Sequence, residues 1–63
     1  MKYTVYKVTQ HGSRQLLLIE DSGNIGLAVY DEHTGSTLMR IRQPVELSDL
    51  KQAIEVLETG ELQ

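Results

Sequence analysis

The sequence contains no cysteine and no apolar run long enough to cross a membrane. The absence of cysteine excludes disulfide bonds and zinc sites of the cysteine-rich kind. A membrane-spanning helix needs about 20 consecutive apolar residues, and the segment Met1–Thr4 lacks the apolar core of a signal peptide. We therefore expect a soluble, cytoplasmic protein.

With 63 residues, the chain has room for one small domain, residues 1–63. A folded monomer of this size buries only about 60% of the surface that its extended chain exposes, which makes a lone monomer marginally stable. Chains this small usually rely on disulfides, a metal or a partner chain. Because disulfides are excluded, we expect self-association, with a homodimer favoured over larger oligomers.

Three glycines divide the first two thirds of the chain into short segments. Gly12, Gly23 and Gly35 each lie in a polar cluster and follow one another at intervals of eleven and twelve residues, which is typical of an antiparallel meander. Pro44 ends the last strand because it has no N–H for a ladder. The predicted strands are Lys2–Gln10, Ser13–Asp21, Asn24–Asp31 and Ser36–Gln43.

The remaining segment has the pattern of one amphipathic helix. Its predicted N-cap is Ser48, and Gly60 occupies the position of a C-cap glycine. Apolar residues recur at the spacing i, i+3, i+4, i+7; they are Leu50, Ala53, Ile54 and Leu57. The predicted fold class is therefore α+β, a four-stranded antiparallel meander (ββββα) with one C-terminal helix packed on one sheet face.

The turns also predict the register of the strands. Two-residue loops at His11–Gly12 and Ser22–Gly23 and a three-residue loop at His33–Gly35 fit the turn chemistry. This register places four residues in one row across the sheet: Tyr6, Leu17, Ala28 and Arg40. Successive side chains point to opposite faces, so the register predicts an almost wholly apolar face under the helix that includes Tyr3, Val5 and Lys7.

The second sheet face is predicted to be mixed, with aliphatic side chains around two tyrosines and two arginines. A solvated sheet face is mostly polar, and a single helix cannot cover both faces. We therefore expect a partner on the mixed face. The predicted oligomer interface comprises Leu17, Ile19 and Leu38 on that face and Val56 on the helix.

No pattern of catalytic residues occurs. A nucleophile needs a positioned base, and both histidines, His11 and His33, lie in predicted turns. Together with Asp31 and Glu32 they could bind a divalent metal, but their spacing does not enforce a ligand geometry, and solvated turn histidines are the simpler interpretation. We expect a protein that is not an enzyme and has no metal or other cofactor.

The mixed face offers two kinds of binding chemistry. Arg40 and Arg42 lie beside Tyr6 and Tyr30, and arginines with aromatic rings on a sheet face hold single-stranded nucleic acid through phosphates and stacked bases. A net charge of −3 argues against this interpretation, and the arginines could instead pair with acids of a second subunit. Further alternatives are a protein-binding adaptor or inhibitor of the kind carried by phages or mobile elements, which would use the same face, and an oligomer binding a small ligand near His11 or His33.

The order of the elements resembles that of a known family. Four meandering strands and a C-terminal helix, joined through Met39–Arg42 and Leu47–Lys51, are similar to the single-stranded-DNA-binding transcriptional coactivators and their Whirly and Pur-type relatives. The resemblance covers nearly the whole chain at the level of topology, although the sheet has fewer basic residues and lacks the coactivators' aromatic–basic strand motif. It implies a dimer that binds single-stranded DNA on the sheet face, through Arg40, Arg42, Tyr6 and Tyr30.

Overall fold

The computed structural model describes residues 2–61, in which four strands precede one helix. The strands form a single antiparallel sheet in the order β1-β2-β3-β4, and the helix packs on one side of it. The elements are β1 (Thr4–His11), β2 (Arg14–Asp21), β3 (Asn24–Asp31), β4 (Ser36–Ile41) and α1 (Leu47–Thr59). The predicted ββββα meander is confirmed, and each strand boundary lies within two residues of its predicted position.

Each of the three hairpin loops contains one of the turn glycines. Ser22 and Gly23 form the predicted two-residue loop and both have left-handed φ angles, 54° and 84°, as a type I′ turn requires. The first loop is Gly12–Ser13, one residue later than predicted, since His11 pairs with Arg14. The third loop has four residues, Glu32–Gly35, and not three, because Asp31 pairs with Ser36.

Two β-bulges determine which side chains share a face. In the first hairpin the register shifts between Lys7 and Thr9, so Lys7 pairs with Leu17 and Tyr6 pairs with Leu18. A one-residue shift moves a side chain to the opposite face of the sheet. The predicted pairing of Tyr6 with Leu17 is therefore wrong, whereas the rest of that row, Leu17–Ala28–Arg40, is confirmed.

The second bulge lies between β3 and β4. There Val29 pairs with Met39 and Tyr30 pairs with Thr37, so Leu38 has no partner opposite it. Leu38 is half-buried and packs against the core. Its predicted place on the mixed face beside Arg40 is wrong, because the extra residue of a bulge does not follow the alternation of the strand.

The core lies between the sheet and the helix. Three strands and the helix contribute its buried members, which are Leu16, Val29, Met39, Ala53, Val56 and Leu57. Val56 is only 1% exposed, so the helix position predicted for an oligomer interface belongs to the interior of the subunit. Conversely, Leu50 and Ile54 are 37% and 43% exposed, so half of the predicted core stripe lies outside the buried core.

Both helix ends are capped. Glu46, and not the predicted Ser48, is the N-cap residue, and its N–H donates to the Asp49 carboxylate at 3.0 Å. The C-cap prediction is confirmed: Gly60 has a left-handed φ of 78°, and its N–H donates to the Val56 carbonyl at 2.7 Å. Within residues 2–61, no helix has the length and apolar character needed to cross a membrane.

Candidate binding surface on the open sheet face

The side of the sheet opposite α1, which we call the open face, is built from alternate residues of all four strands. Paired residues of an antiparallel sheet point to the same side, so Lys7, Leu17, Ala28 and Arg40 form one row across it. Neighbouring rows add Val5, Gln15, Ile19, Asp21, Gly26, Tyr30 and Thr37. The row thus carries aliphatic side chains in its centre and a cation on each edge strand.

Two adjoining depressions are lined mainly by residues of this face. One has a volume of about 400 Å³ and is lined by Tyr3, Val5, Leu17, Ile19, Asp21, Ala28, Thr37 and Arg40. The other has a volume of about 510 Å³ and is lined by Ile19, Asp21, Asn24, Ile25, Gly26, Arg40, Ile41, Arg42 and Gln43. Ile19, Asp21 and Arg40 line both depressions, which therefore form one continuous surface.

The two arginines of this surface have no polar partner among the described residues. Arg40 and Arg42 are exposed, and within residues 2–61 neither guanidinium makes a hydrogen bond or an ion pair. Arg14, on the helix side, differs, because its Nε donates to the Leu57 carbonyl at 2.7 Å and its Nη2 to the Glu58 carbonyl at 2.8 Å. The guanidiniums of the open face retain their full capacity to bind an anion.

Charge is segregated between the two sides of the molecule. The open face holds three of the six cations, Lys7, Arg40 and Arg42, and two acids, Asp21 and Glu32. Glu32 belongs to this face because its carboxylate accepts a hydrogen bond from the Gln15 amide at 3.0 Å. The remainder of the chain therefore has three cations and seven acids. The open face is net positive by one charge and the remainder net negative by four, although the chain as a whole has a charge of −3.

The aromatic residues of this face differ from those predicted. Tyr6 pairs with Leu18 on the helix side and is 53% exposed there, so it lies on the opposite face from Arg40. Tyr3, 65% exposed, lines the smaller depression instead, and Tyr30 lies on the open face as predicted, opposite Gln15 and Thr37. The bulge between Lys7 and Thr9, at Val8, puts Tyr3 on the open face and Tyr6 on the helix side, and it also brings Lys7 to the open face.

The four residues predicted for an oligomer interface also lie in two different places. Leu17 and Ile19 are half-buried on the open face, where their role in an oligomer stays a prediction. Leu38 and Val56 lie against or within the core. The structure thus brings Leu17, Ile19, Tyr30, Arg40 and Arg42 together and leaves the other predicted site residues elsewhere.

The histidines lie at the end of the sheet formed by the first and third loops. There the Asp31 carboxylate accepts a hydrogen bond from the Ser13 hydroxyl at 2.8 Å and another from the His33 N–H at 2.9 Å. These hydrogen bonds, the one from Ser13 foremost, lower the pKa of Asp31. Among the described residues, no three His, Asp or Glu side chains are grouped so that they could hold a metal ion. This cluster joins two loops.

Comparison with protein-family models, curated proteins and solved structures finds no match to this chain. The resemblance to the single-stranded-DNA-binding coactivators therefore rests on the order of the elements alone. Fold-level similarity of that kind carries little information on function, so functional inference depends on the chemistry of the surface itself.

Proposed function

We propose that this protein is a non-catalytic binding module that holds single-stranded nucleic acid on its open face. The observation that carries the proposal is a pair of guanidiniums, Arg40 and Arg42, that have no polar partner within residues 2–61 and lie beside an apolar depression flanked by Tyr3. Unpaired bases expose apolar faces that stack on aromatic rings, while guanidiniums bind the phosphates between them. The open face supplies both kinds of contact.

The dimensions of the sheet suit an extended strand lying across it. Lys7 and Arg40 are at opposite edges of one row, separated by three strand spacings of about 4.8 Å, or about 14 Å in total. A nucleic acid crossing the row meets a cation at each edge and aliphatic side chains between them. The acidic remainder of the molecule repels phosphates and so favours this face over the others.

Salt dependence provides the test. Each phosphate that a cation neutralises on a single strand contributes about −0.7 to the slope of log affinity against log salt concentration, so three cations predict a slope of about −2. The measurement is fluorescence anisotropy of a labelled oligonucleotide short enough to occupy one face. Arg40→Ala should weaken binding and reduce the slope to about −1.4.

A charge-matched variant provides the control. Ser48 is exposed in the first turn of α1, where an added acid is compatible with the helix dipole. Ser48→Glu changes the net charge by the same amount as Arg40→Ala but does so on the other side of the molecule, and it should leave the slope unchanged. If the wild-type protein binds no oligonucleotide at low salt, the proposal is wrong.

A protein partner is the second candidate, and the aliphatic centre of the open face favours it. Leu17, Ile19 and Val5 offer a surface that a peptide or folded domain can cover. The affinity of such a partner depends little on the neutralisation of phosphates, so the complex should persist at moderate salt, in contrast to one with nucleic acid. Retention of a copurifying protein at moderate salt, with no oligonucleotide binding, would support this candidate over the first.

A further inference from the structure

The helix has a second apolar stripe that the subunit covers only in part. Leu47, Leu50 and Ile54 are 68%, 37% and 43% exposed, and their spacing of three and four residues places them along one side of α1. We call these three residues the outer stripe. Ala53, Val56 and Leu57, which face the sheet, already supply the contacts to the core. The outer stripe therefore keeps apolar surface, most of all at Leu47, that a partner could cover.

Two oppositely charged residues accompany the outer stripe. Lys51 lies three residues before Ile54 and Glu58 lies four residues after it, so both are beside Ile54 on the helix surface, and both are exposed. The stripe therefore has a positive side chain towards its start and a negative one towards its end.

We propose that a second copy of this chain packs against the part of the outer stripe formed by Leu50 and Ile54, with the two helices antiparallel about a two-fold axis near Ile54. In that arrangement Lys51 of each subunit lies opposite Glu58 of the other, so the favourable charge pair forms twice. A parallel pair would instead place Lys51 opposite Lys51 and would align the two helix dipoles unfavourably. A two-fold interface of this kind is closed and yields a dimer.

This interface differs from the one expected on the mixed sheet face. It uses the helix side, so the open faces of both subunits point outward and remain accessible. The dimer does not rest on the proposed nucleic-acid binding, because neither Lys51 nor Ile54 belongs to the open face. If both proposals hold, the dimer presents two outward binding faces, and a long strand that reaches both gains affinity through avidity.

Sedimentation equilibrium of the full chain over a micromolar concentration series tests the dimer. The wild-type protein should show a reversible monomer–dimer equilibrium. Ile54→Glu buries an unpaired charge at the centre of the interface and should raise the dissociation constant by about 30-fold or more. The matched control is Val8→Glu, which adds the same charge at a 57% exposed position of the edge strand and should leave the equilibrium unchanged.

A charge exchange tests the antiparallel orientation. Lys51→Glu and Glu58→Lys should each weaken the dimer, because each places like charges opposite one another. The double variant should recover most of the loss, as an exchanged pair does in a double-mutant cycle. Circular dichroism and urea unfolding of each variant at a concentration where the wild type is monomeric should show an intact fold.

Each of the other outcomes overturns part or all of the proposal. A wild-type chain that stays monomeric across the series overturns the dimer, and so does a dimer that survives Ile54→Glu. Failure of the double variant to recover affinity overturns the antiparallel pairing. Binding of a short oligonucleotide by the Ile54→Glu monomer is measured in parallel, so the failure of the dimer and the failure of nucleic-acid binding can be told apart.

Discussion

Arg14 of β2 donates from Nε to the main-chain carbonyl of Leu57 at 2.7 Å, so the first side chain of β2 binds the last turn of the helix. The last carbonyls of a helix have no partner within it, and the helix dipole makes that end partly negative. A guanidinium supplies both the hydrogen-bond donors that these carbonyls lack and a positive charge at the negative end of the helix. The contact spans 43 residues of sequence and joins the two layers of the fold.

Arg14→Met should therefore destabilise the protein. The variant keeps most of the aliphatic stem but loses two charge-assisted hydrogen bonds. Because one such bond contributes about 1.5–3 kcal/mol, the free energy of unfolding should fall by at least about 1.5 kcal/mol. Urea unfolding measures it. Arg40→Met is the matched control because Arg40 has no partner within residues 2–61, and its effect should stay within about 0.5 kcal/mol. Equal losses in the two variants would contradict the role given to Arg14.

Gly26→Ala should weaken the contact between β3 and β4. A Cβ atom at this position would lie 2.7 Å from the Ile41 carbonyl oxygen, and that backbone atom can move only if the strand shifts. Overpacking of this kind costs about 1–3 kcal/mol. Hydrogen exchange should show faster opening of β4 in Gly26→Ala. Gly23→Ala, at a left-handed turn position with open space around it, should affect the turn and leave β4 protected.

The order and limits of the elements could be predicted because their signals are local. Turn glycines at regular intervals and a helical stripe ending at Gly60 need no knowledge of the tertiary structure. The bulges at Val8 and Leu38 could not be predicted, since aliphatic residues within a strand carry no turn signal. Without the first bulge, the predicted register put Tyr3, Tyr6 and Lys7 on the wrong faces, and of the four predicted binding residues only Tyr6 proved to lie away from the candidate site.

The rotation of the helix was ambiguous for a different reason. Leu50 and Ile54 fit a helical apolar stripe together with Ala53 and Leu57, and Val56 fits an equally regular one with the latter two. Which of these stripes faces the sheet is decided by tertiary packing, and the contact between Arg14 and the end of α1 is part of that packing. No local pattern encodes a contact across that distance in sequence.

The Asp31 carboxylate should make stability depend on acidic pH. The Ser13 hydroxyl and the His33 N–H bind its charged form and lower its pKa. The folded state thus holds the carboxylate charged at pH values where the unfolded chain, with an ordinary pKa of about 3.9, is protonated. The stabilising contribution is complete above the unfolded pKa and is lost as the pH falls through the folded pKa.

Urea unfolding of the wild type and Asp31→Asn at neutral and acidic pH measures this contribution, and the difference between the two proteins should shrink at acidic pH. NMR titration of Ser13→Ala should show the pKa of Asp31 closer to its ordinary value, because the strongest of the hydrogen bonds to it is gone. Ser48→Ala, a remote serine on α1, should leave that pKa where it is. A constant difference between wild type and Asp31→Asn at all pH values would contradict the assignment.

The exchange of Tyr3 and Tyr6 between faces gives the most direct test of the proposed site. Stacking of one base on an aromatic ring contributes about 1 kcal/mol at the lower end of its range, which suits a ring as exposed as Tyr3, so Tyr3→Ala should weaken oligonucleotide binding about fivefold. Tyr6→Ala removes a ring from the helix side and should bind as the wild type does. Anisotropy with the same short oligonucleotide compares them. If Tyr6→Ala weakens binding and Tyr3→Ala does not, nucleic acid binds on the helix side and the open face is not the site.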